Sequence, residues 1–316
     1  MKPAWIVLGV VLAALLAVAP LFLPPFYVRV GQLMLYSAGL ALSWSILGGF
    51  AGYRSFGHTA FIGVGAFAAG LTENQVPDWP VAWQVAAGAL AGAAACALIS
   101  GLLAVPILRL RGTFFAIAML GVAHVLGELN NNIDIFQGSL GITLTNVVPD
   151  NLDPPVVFYE AFLALGTGVL LISVWIRYSR FGYGLLGIRE DEDTARMLGV
   201  PTERYKRVAF VLSAVLTGLL GIVYAHSLGY ITTGSVYRDD TSLDLIVFSL
   251  LGGIGTLIGP VIGAFLLVFL TQVVLGDLLD FHLFVTGLLL VILILAAPDG
   301  LLGLGRRLGL AWRPGR

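Results

Sequence analysis

The sequence contains little charge for its length. Asp, Glu, Lys and Arg make up 11% of the 316 residues, whereas 58% are hydrophobic. A soluble globular protein has about a quarter of its residues charged. A chain with so little polar surface cannot cover a water-soluble core, which excludes a soluble enzyme and a disordered protein. The sequence therefore predicts a membrane protein.

Cysteine and net charge are equally scarce. Cys96 is the only cysteine, which excludes an intrachain disulfide, a secreted disulfide scaffold and a cysteine-rich metal site. The formal net charge is −1, so the chain offers no basic field to a nucleic acid. We expect no cofactor, no metal site and no nucleic-acid partner.

Long uncharged stretches recur along the chain. A helix needs about 20 apolar residues to cross a bilayer. The stretches of about this size are 4–28, 30–53, 55–72, 81–107, 208–229, 245–276 and 281–298. Segments 113–129 and 158–176 each hold one charge, and no strand periodicity is present. We predict an all-α integral membrane protein, a single polytopic helical bundle over residues 1–316 with eight to ten transmembrane segments.

Glycine and proline interrupt two of these stretches. Segment 245–276 contains two Gly-rich strings, and segment 55–72 is short and Gly-rich, so we expect broken or re-entrant helices in both. Broken helices can direct backbone N–H groups at a substrate carboxylate, but small residues also permit close helix packing. Both interpretations stay open. The candidate pathway residues are Ser55, Gly57, His58, Thr59, Gly63, Gly252, Gly253 and Gly255.

The basic residues indicate the orientation in the membrane, because Lys and Arg concentrate in cytoplasmic loops. If both termini are cytoplasmic, all 17 basic residues except Arg29 and Arg238 lie on the cytoplasmic side. The outer loop 130–157 then has none. Lys2 and the small residues 17–19 resemble a signal peptide, but the length of the first stretch favours a retained helix. We predict a multi-pass plasma-membrane protein with cytoplasmic N- and C-termini.

The cytoplasmic loop 177–207 contains a pattern for a short amphipathic helix at 188–201. Acidic residues 190–193 suit a helix N-terminus, Ala195 and Leu198 share an apolar face, and Gly199 with Pro201 predicts the stop. The segment is either a solvated connector or a helix that docks into a groove on a partner. The candidate docking residues are Arg189, Glu190, Asp193, Ala195, Leu198 and Gly199.

Ionisable residues within the predicted spans are few and mostly lie near span ends. His124 and Glu128 are spaced i, i+4, which suits a proton relay, half a metal site, or a hydrogen-bonded pair at the outer interface. An ion-coupled secondary transporter would need a buried acid in mid-span, and an intramembrane enzyme would need converging acids and bases. The sequence offers neither convincingly, so the energy for any transport is expected to come from outside the chain.

Five segments, in order, carry a family resemblance. They are 49–66, 108–117, the inner loop up to Lys206, 251–260 and 298–303. Together they resemble the permease subunits of ATP-binding-cassette importers for branched-chain amino acids, in the second of that system's two permease types. Two departures occur. Asp193-Thr194-Ala195 with Gly199 keeps only the spacing of the family's Glu-Ala-Ala-x-x-x-Gly sequence, and Ala297-Pro298 replaces Arg-Pro.

The resemblance implies a transport subunit of the bacterial inner membrane that is not itself an enzyme. The chain agrees in having no Gly-x-x-x-x-Gly-Lys-Ser/Thr string for ATP. The implied partners are a second permease subunit, two cytoplasmic ATP-binding subunits that grip the inner loop, an external substrate-binding protein and the lipid bilayer. Loops 130–157 and 231–242 would receive the binding protein or simply be solvated. Permeases for urea or short amides are close relatives and stay open as an alternative.

Overall fold

A computed structural model describes residues 14–133, 140–149 and 151–275, together with positions 287, 300, 301 and 303. The predictions for the span 281–298, most of the motif 298–303 and both termini lie outside these residues. The helices are α1 (Pro25–Ser45), α2 (Thr59–Gln75), α3 (Val81–Ile107), α4 (Gly112–Asn132), α5 (Pro154–Arg177), α6 (Arg180–Glu190), α7 (Glu192–Met197), α8 (Thr202–Leu228), α9 (Thr233–Val236), α10 (Asp239–Gly252) and α11 (Gly259–Phe269).

The helices confirm the predicted all-α polytopic membrane fold. Among the described residues, five helices are long and apolar enough to cross a bilayer: α1 with its extension to Phe50, α3, α4, α5 and α8. The shorter helices lie in the two Gly-rich stretches. α2 has 17 residues, α10 has 14, and α11 with its π-helical extension ends at Val274.

Helices α1 and α8 form the centre of the bundle. In its most apolar window α1 is 83% buried, whereas α3 and α4 are each 28% buried and present most of their surface outward. α1 packs against α5, α8 and α11, and α8 also packs against α2 and α3. Trp44 is fully buried at the C-terminal end of α1 and donates its indole N–H to the carbonyl of Ser55, 2.8 Å away.

The chain breaks its helices where glycine permits left-handed backbone. α1 passes through a π-helical turn at Ile46–Phe50, and Gly52 follows with φ of +79°. α10 ends at Gly252, and Gly253 and Gly255 have φ of +118° and +79°. α11 then packs back against α10.

The positions of these breaks bear on both predicted interruptions. Segment 245–276 is divided into two helices, as its glycines predict. The irregular backbone of segment 55–72 lies at its start, at 55–58, and α2 then runs unbroken from Thr59, so the break precedes the helix instead of dividing it. The seven glycines and alanines of α2 are small enough for neighbouring helices to pack closely against it, and most of the helix is buried.

A small two-stranded sheet joins the loops at the opposite end of the bundle. Strand β1 (Ile142–Thr143) pairs antiparallel with β2 (Tyr230–Ile231), and Leu144 N–H donates to the Gly229 carbonyl. The described part of loop 130–157 is therefore tied to the C-terminus of α8. Asn130 at the end of α4 adds a hydrogen bond to Thr233 Oγ1, at 2.9 Å.

Candidate functional site

The inner loop folds into two helices instead of the single helix predicted at 188–201. α6 ends at Glu190, and α7 begins at Glu192 after the extended residue Asp191. Asp191 caps α7 by accepting a hydrogen bond from the Thr194 N–H at 2.5 Å, and this bond lowers the pKa of its carboxyl. Gly199, with φ of +87°, closes the helix at the predicted position.

A buried charge pair fixes the base of α7. Lys206, in the first turns of α8, is 1% exposed and donates to Glu192 Oε1 at 2.7 Å. Tyr53 donates to Glu192 Oε2 at 2.6 Å, and Lys206 also donates to the carbonyl of Leu108 at 3.2 Å. Because the Glu192 carboxylate oxygens and the Lys206 ammonium all have hydrogen-bond partners, the free-energy cost of burying the two charges is offset. One cluster thus joins α7 to α8, to the segment after α1 and to the α3–α4 turn.

The hydrogen bonds of this cluster also set its protonation. Burial raises the pKa of the Glu192 carboxyl, but the hydrogen bonds from Lys206 and Tyr53, together with the positive charges of Lys206 and Arg111, lower it by more, so the pKa lies below its ordinary value. Burial and the neighbouring carboxylate raise the pKa of the Tyr53 phenol. Glu192 is therefore charged at neutral pH and Tyr53 is a neutral donor.

A second, more exposed pair holds the outward side of α7. Arg111, in the α3–α4 turn, makes two parallel hydrogen bonds to Asp193, at 2.9 and 3.0 Å. The Arg111 guanidinium holds the pKa of the Asp193 carboxyl below its usual range. Both side chains are at least half exposed, so the pair orients α7 more than it stabilises it.

Arg189 connects the inner loop to both helix breaks. Its Nη1 lies 3.0 Å from the carbonyl of Gly49, at the end of α1, and 3.5 Å from that of Ile254, after α10. A Cβ on Gly255 would lie 1.7 Å from this Nη1, so the position admits only glycine without moving Arg189. The loop that carries α7 is thus in direct contact with the two points at which the bundle is interrupted.

The free end of α7 is apolar and exposed. Met197 and Leu198 are each 80% exposed, whereas Ala195 is 4% exposed and packs into the protein core. The predicted common face of Ala195 and Leu198 is therefore wrong. Ala195 faces the helix bundle, where the Asp191 cap and the Glu192 contacts hold the base of α7, and the apolar tip is formed by Met197 and Leu198.

The structure assembles most of the candidate docking residues in one place. Asp193 lies on the side of α7 and Leu198 and Gly199 lie at its tip, whereas Arg189 and Glu190 are both exposed in the last turn of α6. Sequence reasoning missed the residues that anchor α7. They are Tyr53, Arg111, Glu192 and Lys206.

The candidate pathway residues lie in close packing. Ser55, His58 and Thr59 are fully buried. A Cβ on Gly57 would lie 2.0 Å from the Met119 carbonyl oxygen, and one on Gly63 would lie 2.2 Å from the Tyr237 ring. A Cβ on Gly252 would lie 1.7 Å from the Gly259 carbonyl oxygen, and Gly253 and Gly255 follow in the same turn. These contacts favour the packing interpretation, and a pathway role for the set stays a prediction.

The ionisable residues singled out from the sequence, His124 and Glu128, both lie on the exposed side of α4. Glu128 accepts a hydrogen bond from Asn132 on the exposed side of α4, and the His124 ring contacts the Leu120 carbonyl at 3.0 Å. A different pair is buried. Glu73 of α2 lies 3.0 Å from His226 Nε2 of α8 and also accepts from the Thr145 N–H. Glu73 thus fastens loop 130–157 to α2 and α8, at the C-terminal end of α2.

The described residues therefore define a polytopic helical membrane protein with an inner loop anchored to its helix breaks. Residues 29–294 match the model of a family described as branched-chain amino acid transport system / permease component. Because the match covers most of the chain, the chain belongs to this family of transport permeases. No solved structure matches it.

The relatives include proteins named as permeases of a branched-chain amino acid transport system and of an autoinducer 2 import system. The chain is 28% identical to the high-affinity branched-chain amino acid transport system permease protein LivM of Escherichia coli K12, over 84% of this chain and 68% of LivM. It is 22% identical to LivH of the same strain, over 84% of this chain and 90% of LivH. It is also 30% identical to the autoinducer 2 import system permease protein LsrC of Enterobacter sp. 638, over 67% of this chain and 60% of LsrC.

Proposed function

We propose that this chain is a permease subunit of an ATP-driven importer of branched-chain amino acids in the bacterial inner membrane. It forms half of the pathway with a second permease subunit, receives solute from an external binding protein and couples to two cytoplasmic ATP-binding subunits. The observation that carries the proposal is the exposed Met197–Leu198 tip on a helix whose base is held by buried charges. Exposed apolar residues on a rigid support are typical of a docking surface.

The contacts of α7 support a route from the inner surface to the bundle. When the ATP-binding subunits close, the helix docked on them moves, and Lys206 passes the displacement to α8. Arg189 passes it to the Gly49 and Ile254 carbonyls. These points end α1 and α10, where the backbone is irregular and a small rotation does not require breaking a regular helix. Rocking of these helices then alternates access to the pathway.

Two further observations support the assembly. LivM and LivH of one strain are both named as permease proteins of a branched-chain amino acid system, which favours a second, non-identical permease partner for this chain. All the charged anchors of α7 belong to segments whose basic residues predict a cytoplasmic location. The orientation with both termini in the cytoplasm therefore places the apolar tip where ATP-binding subunits can reach it.

Solute competition tests the proposed substrate class. In cells producing the complete transporter, uptake of labelled leucine should be inhibited by excess isoleucine or valine and unaffected by excess urea or acetamide. The expectation follows because an aliphatic side chain contributes about 1.5–3 kcal/mol on burial, which urea and acetamide cannot supply. Inhibition by urea that equals inhibition by valine would favour the amide alternative instead.

A further inference from the structure

A cavity of about 360 Å³ lies between α1, α8, α10 and α11. This volume is at the lower end of the range for small-molecule sites. One part of the wall is apolar and is formed by Leu40, Ile62, Leu245, Phe248 and Leu267. The other part is charged and is formed by Arg238, Asp240 and Asp244, at the start of α10. The cavity therefore has an ionic end and an aliphatic end.

The charges at the ionic end are only partly paired. Arg238 donates from Nε and Nη2 to the two oxygens of Asp240, which leaves Nη1 without a hydrogen bond from the described residues. Asp244 is one helical turn beyond Asp240 and accepts no hydrogen bond from them. The described charges thus comprise two carboxylates for one guanidinium. Such a site can take up a cation at Asp244 and still offer donors from Arg238 to an anion.

The aromatic wall beside Arg238 is rigid. Tyr36 of α1 stacks on Tyr224 of α8, with ring centroids 4.7 Å apart and planes inclined by 9°. Tyr36 also packs against Phe162 of α5, and both tyrosines line the cavity. These ring contacts pack α1, α5 and α8 together along one wall of the cavity.

We infer that this cavity binds a zwitterionic amino acid with an apolar side chain. The ammonium group of the ligand pairs with Asp244, its carboxylate accepts from Arg238, and its side chain lies against Leu245, Phe248 and Leu267. Urea and simple amides carry neither charge, and a fatty acid would meet an unpaired carboxylate. The inference rests on the proposed function, because it names the residues within the permease that select the amino acid.

This assignment differs from the glycine-based pathway prediction but is structurally linked to it. Ser242 of α10 donates to Thr59 Oγ1 at 3.1 Å, and Ile62 of the same α2 turns reaches the cavity wall. The buried segment 55–63 thus supports the cavity from behind. A displacement of the helix breaks at the inner face would change the shape of the cavity through α10.

Protection of an introduced cysteine tests the binding site directly. Ser37 lines the cavity, and the native Cys96 is fully buried, so a Ser37→Cys variant has one accessible thiol among the described residues. In the assembled transporter in nanodiscs, leucine should slow modification of Cys at 37 by a small methanethiosulfonate. Leucinamide, which lacks the carboxylate, and 4-methylpentanoate, which lacks the ammonium, should not. Labelling of a control Asp78→Cys variant, in an exposed loop, should be the same with and without leucine.

Charge-neutralising variants test the two assigned contacts. Adding Asp244→Asn or Arg238→Gln to Ser37→Cys should raise the leucine concentration that gives half protection by about tenfold to a hundredfold, the usual effect of losing one charge-assisted hydrogen bond. Asp78→Asn and Arg29→Gln, exposed residues outside the cavity wall, should leave it unchanged. Unchanged protection in both cavity variants, or protection by all three ligands alike, would overturn the inference.

Uptake by the same variants separates this inference from the proposed function. If the wild-type transporter imports leucine and Asp244→Asn imports it equally well, the site assignment fails while the function stands. If the wild-type complex imports no branched-chain amino acid, both fail. The expected result is that Asp244→Asn loses uptake at low leucine concentration but keeps the ATP hydrolysis stimulated by the binding protein, because α7 and its anchors are unaltered.

Discussion

Replacement of Leu198 by Asp is expected to abolish transport without unfolding the protein. Leu198 is 80% exposed, so a carboxylate at this position costs the isolated chain little. In a docked complex the same carboxylate would be buried against an apolar groove, at a cost of several kcal/mol. That cost corresponds to a loss of affinity of about a hundredfold or more. The measurement is co-purification of the ATP-binding subunits with the variant, together with leucine uptake.

The control for this variant keeps the apolar character of the tip. Leu198→Met and Met197→Leu should retain assembly and uptake, since both preserve side-chain volume and hydrophobicity. Ala195 is a poorer test position, because its N–H donates to the Asp191 carbonyl and its side chain is buried, so any bulky or proline substitution also disturbs the loop. Wild-type assembly and uptake by Leu198→Asp would show that the tip is a solvated connector.

Replacement of Lys206 by Met is expected to release α7 from the bundle. The substitution leaves Glu192 buried without its closest cation, and breaking a buried pair in this way costs about 3–5 kcal/mol. Tyr53 and Arg196 still contact the carboxylate, so we expect the loss of stability of the loop to lie at the lower end of this range, about 3 kcal/mol. Amide hydrogen exchange of α6 and α7 should accelerate by about a hundredfold, and coupled transport should fall.

A double variant shows whether the effect belongs to the pair. Lys206→Met combined with Glu192→Met removes both charges, so exchange should return much of the way to the wild-type rate. Arg111→Gln breaks only the exposed pair with Asp193 and should accelerate exchange by no more than about fivefold. Equal effects of Lys206→Met and Arg111→Gln would contradict a buried anchor.

The pKa of Glu192 sets the pH range over which the charge pair with Lys206 stabilises α7. Because the pKa lies below its ordinary value of 4.5 in the folded loop, the charge pair contributes its full stability above that value. The contribution is lost as the pH falls through the lowered pKa. Protection of α7 in the wild-type protein should therefore stay constant from neutral pH down to about pH 5 and decline only in stronger acid.

The membrane fold and the ends of loop 177–207 could be predicted from the sequence, but the contacts that give this loop its shape could not. Uncharged stretches predict spans because the bilayer imposes their length. α6 was missed because Gly182 and Gly184 argue against a helix. The fold places each glycine against a close neighbour: a Cβ there would lie 2.0 Å from the Ile176 carbonyl oxygen and 2.3 Å from the Tyr205 ring. Tertiary packing therefore decides the helix.

The site residues that escaped prediction depend on distant partners. Tyr53 and Glu192 are separated by 139 residues, and no local pattern pairs them. The cavity did leave a signal. Asp240 and Asp244 are spaced i, i+4 at the start of an apolar segment, with Arg238 just ahead, which places three charges at the end of one helix. That these charges line a cavity could not be predicted, because the opposite wall is formed by α1 and α8, which are distant in the sequence.

The most direct test of an ATP-driven mechanism is reconstitution in proteoliposomes. The two permease subunits should be incorporated with and without the ATP-binding subunits, and leucine accumulation should be measured in the presence of the binding protein. We predict accumulation only when the ATP-binding subunits and ATP are both present on the cytoplasmic side. Accumulation by this chain alone, driven by an imposed proton or sodium gradient, would contradict the proposed function and identify a secondary transporter.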